Sequence, residues 1–132
     1  MNVLEFTEKK EGCVGTVYKD HLGFDTIGIG TKLPITRDEA KLLLNHRMQA
    51  YRNQLVSNLH DLTAPQEVWD ILLAMSYQLG VNGVLGFKKM ILAIRRKDYN
   101  EAANQMLDSL WASEKQTPKR AGELADMMRK VK

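Results

Sequence analysis

Helix signals follow one another with almost no interruption from Thr36 to the C-terminus. Thr36 to Glu39 and Thr63 to Gln66 have the form of capping boxes, in which two side chains bond each other's backbone N–H groups. After each helix start, apolar residues recur at 3.6-residue spacing, which is typical of an amphipathic helix. The residues predicted to face inward in the five successive helices are Leu44, Met48, Tyr51, Leu55 and Leu59; Val68, Ile71, Leu72, Met75 and Leu79; Phe87, Met90, Ile91 and Ile94; Ala102, Met106, Leu107 and Leu110; and Ala121, Leu124 and Met128.

The breaks between these helices are also marked in the sequence. Gly80 ends the second helix, and a glycine-punctuated corner is predicted over residues 81–86. Asp98 caps the fourth of the five helices, and Thr117-Pro118 opens the last one, because proline suits the first turn of a helix.

A further short helix is predicted at the N-terminus. Asn2 stands three residues ahead of Glu5, the spacing of a capping side chain and its acidic partner. The helix is expected to cover residues 3–11, to bury Val3 and Phe6, and to end at the glycine that follows.

Residues 16–31 have a different pattern. β-Branched residues flank a polar turn at residues 19–23, which predicts a small antiparallel hairpin. The fold class is therefore α+β: mostly helical, with a small N-terminal β lobe over about residues 12–35 and a cleft between the lobes. The 132 residues suit a single domain, residues 1–132.

The composition excludes several ways of holding such a fold together. Cys13 is the single cysteine, so no internal disulfide forms, and no Cys/His cluster has zinc-ligand spacing. The N-terminus lacks a signal-peptide pattern, and no apolar run approaches the roughly 18 residues of a membrane span. A chain made in soluble form on the reducing side of the membrane is expected.

The charge gives only a weak indication of partners. The net charge of +3 favours anionic partners such as an acidic polysaccharide or nucleic acid. Aromatic residues make up only 7% of the chain and do not interleave with a basic stripe, so nucleic acid is not expected as a partner.

Three polar residues fall where the first helix meets the hairpin: Glu11, Asp20 and Thr26. A carboxyl at a helix C-terminus lies at the negative end of the dipole, which disfavours ionisation, whereas Asp20 in a polar turn is expected to stay ionised. Two carboxyl groups in unlike environments are what glycoside hydrolysis needs. Spacing alone leaves the ordinary alternative open, in which Glu11 is a solvated helix end, Asp20 forms an Asx turn and Thr26 is a plain strand residue.

A longer set of motifs separates these alternatives. In the first third of the chain, the motifs Glu11–Gly12, Tyr18–Asp20, Gly23 and Thr26–Gly30 closely resemble the catalytic segment of the phage lysozymes (endolysins) of the T-even type, family 24 of the glycoside hydrolases. The helical part continues the likeness in the family's order, with Met75–Gly80, Asn82–Val84, Gly86–Phe87, Glu101–Ala103, Trp111 and Gln116–Ala121. The resemblance covers nearly the whole chain.

The resemblance implies catalytic roles for the same three residues. Glu11 is the general acid, Asp20 is the carboxylate that positions or activates a water, and the hydroxyl of Thr26 holds this water.

The resemblance also implies substrate-binding roles for Gly30, Gln78, Trp111 and Arg120. The amide of Gln78 would read sugar groups with Trp111 packed beneath it, and Arg120 would pair with Glu11. The ordinary alternatives are a solvated helix residue for Gln78 and a plain core residue for Trp111.

The chain also departs from the family's pattern. Thr31 stands where the best-known relatives have a histidine, and the segment before the Thr36 helix shrinks to residues 32–35, which predicts a smaller cleft lip. The loop between Trp111 and Gln116 is longer than in those relatives.

The function implied is that of a muramidase that hydrolyses, with inversion, the β-1,4 bond from N-acetylmuramic acid to N-acetylglucosamine in peptidoglycan. Neither metal nor cofactor is expected. A monomer is expected to accumulate in the host cytoplasm and to reach the wall during lysis through a membrane pore protein, a holin. The alternatives are a lytic transglycosylase, against which Asp20 and Thr26 argue, and a non-catalytic binding module for glycan or nucleic acid.

Overall fold

The computed structural model describes residues 1–109, 111–113 and 116–132. They divide into two compact units, Met1–Leu44 and Asn45–Lys132. The elements, in chain order, are α1 Val3–Glu11, β1 Val14–Lys19, β2 Asp25–Gly28, β3 Thr31–Lys32, α2 Arg37–Asn58, α3 Gln66–Leu79, α4 Val81–Leu85, α5 Lys88–Arg95, α6 Tyr99–Leu107 and α7 Pro118–Arg129. This α+β architecture, mostly helical with a small antiparallel sheet, is that of a lysozyme-like fold, as predicted.

The sheet contains the predicted hairpin and one strand more. Its strands are antiparallel in the order β1-β2-β3. Tyr18 of β1 lies opposite Thr26 of β2, and Thr26 lies opposite Lys32 of β3. These three residues therefore occupy one row across the sheet, on the same face.

Helix α1 has the predicted bounds, but its apolar residues are not buried. The side chain of Asn2 accepts hydrogen bonds from the backbone N–H groups of Leu4 and Glu5, as a helix cap does. Val3 is 60% exposed and Phe6 is 49% exposed, so the prediction that α1 buries them is wrong. The reason is that residues 1–44 contain no apolar core, since Thr26 is the one buried residue among them.

Helix α2 begins with the predicted capping box. The Thr36 N–H donates to the Glu39 carboxylate (2.9 Å), and the Glu39 N–H donates to the Thr36 hydroxyl oxygen (3.1 Å). Its predicted apolar line is buried only toward the C-terminal end of the helix, at Leu55 and just beyond it at Leu59. Leu44 is exposed, contrary to prediction.

The hydrophobic core lies in the second unit. Most of the predicted inward residues of α3, α5, α6 and α7 are buried there, namely Val68, Ile71, Leu72, Met75, Met90, Ile91, Ile94, Ala102, Met106, Ala121, Leu124 and Met128. Leu107, the last residue of α6, is exposed, contrary to prediction. Leu110 lies outside the described residues.

The predicted start of one helix in this unit is wrong, and the predicted corner after Gly80 contains a short helix. Pro65 rather than Thr63 is the N-cap of α3, and no side chain caps that end, because Thr63 lies two residues too early for a capping box. Within the predicted corner of residues 81–86, residues 81–85 form the short helix α4, which buries Val81 and Val84. Gly80 ends α3 as predicted, with a φ of 76°. Among the described residues, no helix has the length and apolar character needed to cross a bilayer.

Candidate active site

Glu11 is the last residue of α1, and the chain turns sharply after it. Gly12 has a φ of 74°, in the left-handed region that favours glycine, and its N–H donates to the carbonyl of Glu8 (2.7 Å). This turn leads directly into β1. The side chain of Glu11 is exposed, so its carboxyl group is accessible from solvent.

Gly30 lies against the carboxyl group of Glu11. It is part of the turn between β2 and β3 and has a φ of 69°. A Cβ atom added to Gly30 would lie 2.7 Å from Oε2 of Glu11 and 2.8 Å from Cδ, which is closer than real contacts allow. A glycine at this position therefore leaves the room that the Glu11 carboxyl occupies.

The carboxylate of Asp20 is held from both sides. Oδ1 accepts hydrogen bonds from the backbone N–H groups of Leu22 (2.9 Å) and Phe24 (2.8 Å), which is the Asx-type turn expected of an aspartate at this position. Oδ2 accepts a hydrogen bond from the ammonium group of Lys32. The Asp20 side chain is only 7% exposed.

These contacts lower the pKa of Asp20 to about 2, from an ordinary value of 3.8. The hydrogen bond from Lys32 is the largest cause, and the backbone N–H of Phe24 is the next. Each stabilises the charged form of the carboxylate. The expectation that Asp20 stays ionised in its turn agrees with this result.

Thr26 is buried in the middle of the sheet. Its side chain has no exposed surface, and its hydroxyl donates to the carbonyl of Phe24 (2.9 Å). Because the hydroxyl proton is used in this bond, the oxygen has acceptor lone pairs left for another partner. A water held by Thr26 would therefore donate to it, and because the side chain has no exposed surface, neighbouring groups must move to admit that water.

One residue of this site was missed by the sequence analysis. Lys32 forms an ion pair with Asp20. The negative charge of Glu11 also raises the pKa of Lys32. The predicted hairpin ends at residue 31, the first residue of β3, and the sequence places Lys32 in the shortened segment that follows. A prediction that continued the sheet with a third strand after Gly30 would have placed Lys32 opposite Thr26.

The other predicted site residues lie in the second unit, where two of them belong to one hydrogen-bonded network. The indole N–H of Trp111, which is buried, donates to Oε1 of Gln78 (3.0 Å), and Nε2 of Gln78 donates to the hydroxyl of Thr117 (2.7 Å). Gln78 is thus neither a free amide nor a fully solvated helix residue. Counting bonds to the described residues alone, one N–H and one lone pair of its amide remain for a further partner.

Arg120 lies in the first turn of α7 and is exposed. Its pairing with Glu11 stays a prediction, as do the sugar-binding roles of Gly30, Gln78 and Trp111. In the part of the chain that the structure describes, no three His, Cys, Asp or Glu side chains come together as a metal site requires.

Comparison with known proteins agrees with this geometry. The sequence model of the phage lysozyme family matches residues 8–124, which include Glu11, Asp20 and Thr26. The chain belongs to the phage lysozyme family. A similar protein is the probable T4-type lysozyme 1 of Dictyostelium discoideum, which is 26% identical over 160 aligned positions that cover 96% of this chain and 93% of the relative.

Family membership confirms the resemblance seen in the sequence and sets the class of activity. The protein is a lysozyme, that is, a glycosidase, and its substrate is peptidoglycan. The three residues expected to carry the chemistry all lie in the N-terminal unit.

Proposed function

We propose that the protein is a muramidase that hydrolyses, with inversion, the β-1,4 bond between N-acetylmuramic acid and N-acetylglucosamine. The observation that carries the proposal is the nearly enclosed, ionised carboxylate of Asp20, which lies in the same small unit as the exposed carboxyl of Glu11. Inverting glycosidases use such a pair, one carboxyl as acid and the other to direct a water.

In this mechanism Glu11 donates its proton to the glycosidic oxygen while the bond from that oxygen to the anomeric carbon breaks. Positive charge develops on the sugar ring, and a water attacks the anomeric carbon from the opposite face. The proton that this water loses passes to the Asp20 carboxylate and then to solvent, and Glu11 regains a proton from solvent.

The low pKa of Asp20 defines what this carboxylate contributes. A carboxylate with a pKa of about 2 is a weak base, so it removes a proton late in the step. Its main contribution is to orient the water and to stabilise the positive charge on the sugar. The hydroxyl oxygen of Thr26 would accept from the same water once neighbouring groups move to admit it.

The test compares Glu11→Gln with Glu8→Gln in clearing of purified cell walls. Glutamine cannot donate the required proton, so Glu11→Gln should lose at least about 100-fold in rate. Glu8 is another exposed glutamate of the same helix, so Glu8→Gln should retain the rate, and both variants should melt at the wild-type temperature. Clearing by Glu11→Gln at the wild-type rate would exclude the proposed role.

Analysis of the digestion products distinguishes the alternatives. A muramidase leaves a reducing N-acetylmuramic acid, and inversion gives the α-anomer first from a β-linked substrate. A 1,6-anhydro product would identify a lytic transglycosylase, because there the substrate's own hydroxyl displaces the leaving group. Binding to the walls without any product would identify a binding module.

The biological setting proposed for this activity is lysis of a bacterial host. The enzyme would accumulate in the host cytoplasm as a monomer and reach the wall when a membrane pore protein, a holin, opens the membrane. The net charge of +3 supports attraction to an anionic cell wall. The reaction proposed requires neither a metal nor a cofactor.

A further inference from the structure

Lys32 is placed by the sheet at the carboxylate of Asp20. Its cross-strand partner is Thr26, so its side chain starts on the face of the sheet that carries Thr26 and Tyr18. From there the four-carbon stem carries the ammonium group to Oδ2 of Asp20. The backbone of β3 is fixed next to this residue, because the Leu33 N–H donates to the Asp25 carbonyl (2.9 Å).

Lys32 binds the carboxylate oxygen of Asp20 that the backbone N–H groups do not contact. Oδ1 of Asp20 already accepts two backbone N–H groups, whereas Oδ2 has Lys32 as its partner. A carboxylate oxygen has two lone pairs, so Oδ2 keeps one for a water. With both oxygens engaged, the plane of the carboxylate has one orientation, and so does that remaining lone pair.

The charged groups around this contact come from each neighbouring element. Glu11 at the end of α1 and Tyr18 of β1 both raise the pKa of Lys32, with Asp20 as the larger cause. Lys19 of β1 pairs with Asp25 of β2 (2.6 Å).

That second pair lies on the opposite face of the sheet. Lys19 and Asp25 are each the next residue along the strand from one member of the Tyr18 and Thr26 pair, and successive side chains of a strand point to opposite faces. Within the sheet, Lys32 is therefore the lysine on the same face as Thr26.

We propose that Lys32 is a positioning residue for the hydrolysis: its ammonium group orients the Asp20 carboxylate and keeps it ionised, so that Oδ2 presents a lone pair to the attacking water. The inference rests on the proposed function. Lys32 does not exchange a proton with the substrate in this role, and it acts through Asp20. Its side chain is 54% exposed, so a substitution there need not disturb the core.

The experiment compares Lys32→Met, Lys32→Arg and the control Lys19→Met in kcat and KM against pH, on soluble peptidoglycan fragments. Methionine keeps an unbranched stem of similar length but removes the charge. We expect Lys32→Met to lower kcat roughly 10- to 100-fold with little change in KM, since the water is misplaced while substrate binding is unaffected. The acid limb of the profile should move to higher pH, because Asp20 then protonates more readily.

The control variants separate positioning from a merely structural role. Lys32→Arg should restore the acid limb, since it keeps the charge, and Lys19→Met should leave both kcat and the limb unchanged. A loss of kcat in Lys32→Met with an unmoved acid limb would overturn the inference, and so would full activity in that variant. Titration of the Asp20 carboxyl carbon by NMR gives a readout independent of activity, and an unchanged pKa in Lys32→Met would also overturn it.

The inference and the proposed function fail in different ways. If the wild-type protein clears cell walls and Glu11→Gln does not, the proposed function holds whatever Lys32→Met does. If the wild-type protein releases no reducing ends, the proposed function fails and the catalytic role of Lys32 with it. The NMR titration still reports in that case whether Lys32 controls the ionisation of Asp20.

Discussion

At the scale of single residues, the candidate site depends on which lone pairs of Asp20 and Thr26 remain after their hydrogen bonds within the protein. The Asp20 carboxylate keeps a lone pair on Oδ2, and the Thr26 hydroxyl keeps its acceptor lone pairs after donating to Phe24. Both groups are therefore acceptors, and in the proposed mechanism they accept the two protons of one water. This shared use predicts how substitutions at the two positions combine.

Asp20→Asn and Thr26→Ala should each lower kcat strongly, and together they should cost much less than the product of the single effects. Removing either acceptor already releases the water, so the second change has little left to remove. A double-mutant cycle on kcat measures this coupling, with circular dichroism to show that each variant is folded. Multiplicative losses would indicate that the two residues act on different steps.

Gly30→Ala tests the close approach of the backbone to Glu11. Alanine is strained at a φ of 69°, at a cost of roughly 1–2 kcal/mol, and its Cβ would displace the Glu11 carboxyl. Stability and kcat should both fall. Gly15→Ala is the matched control, because Gly15 lies in β1 with nothing within 4 Å of an added Cβ. Equal kcat for the two variants would contradict the idea that Gly30 makes room for Glu11.

At the scale of elements, two threonines with the same local pattern behave differently. Thr36 makes both bonds of its capping box with Glu39, whereas Thr63 precedes a helix whose N-cap is Pro65. Both threonines are exposed. Thr36→Ala should lower the free energy of unfolding by about 0.5–2 kcal/mol. Thr63→Ala should change it by less than about 0.5 kcal/mol. Urea denaturation of the two variants compares these values, and equal losses would show that the cap contributes nothing.

Two helix caps in this protein could be predicted from the sequence, whereas the burial of apolar residues in α1 could not. Asn2 and Thr36 were predicted as caps and are caps, because a cap depends on residues within one turn of itself. Burial depends on partners distant in sequence, and helical spacing at Val3 and Phe6 says nothing about whether such a partner exists. The N-cap of α3 is Pro65, two residues after the predicted Thr63. The four-residue capping-box pattern does not show where the helix starts.

The residues of the candidate site differ in the same way in how far the sequence predicts them. Glu11, Asp20 and Thr26 were found from their motifs, which carry the family's order. Lys32 was missed because its place depends on a two-residue strand, too short to have a pattern of its own. Its partnership with Asp20 arises from register, which only the folded sheet defines.

At the scale of the whole molecule, the ionised Asp20 links stability to pH. Its pKa is about 2 in the folded protein against an ordinary 3.8, so the folded state favours the charged form. The resulting stabilisation is fully present above about pH 4 and is lost as the pH falls toward 2. Asp20→Asn should therefore flatten the fall in unfolding free energy between these pH values. Chemical denaturation at several pH values measures the slope, and an unchanged slope would contradict the assignment of this carboxylate.

The two units also differ in what holds each of them together. The second unit contains the hydrophobic core, while residues 1–44 bury only Thr26 and rely on caps, strand hydrogen bonds and ion pairs. Interactions of that kind are individually modest, at about 0.5–1.5 kcal/mol for a typical hydrogen bond. The groups proposed to carry the chemistry are thus in the unit without a core of its own.

The chemistry proposed for this protein is encoded in one short stretch of its gene. Glu11, Asp20, Thr26, Gly30 and Lys32 fall within residues 11–32, so a single recombination event downstream of that stretch would transfer all five together. Exchange at such a junction would combine an intact set of reacting groups with a new helical part. The layout therefore lets the five groups proposed for hydrolysis be inherited together, while the predicted sugar-binding residues Gln78, Trp111 and Arg120 belong to the helical part.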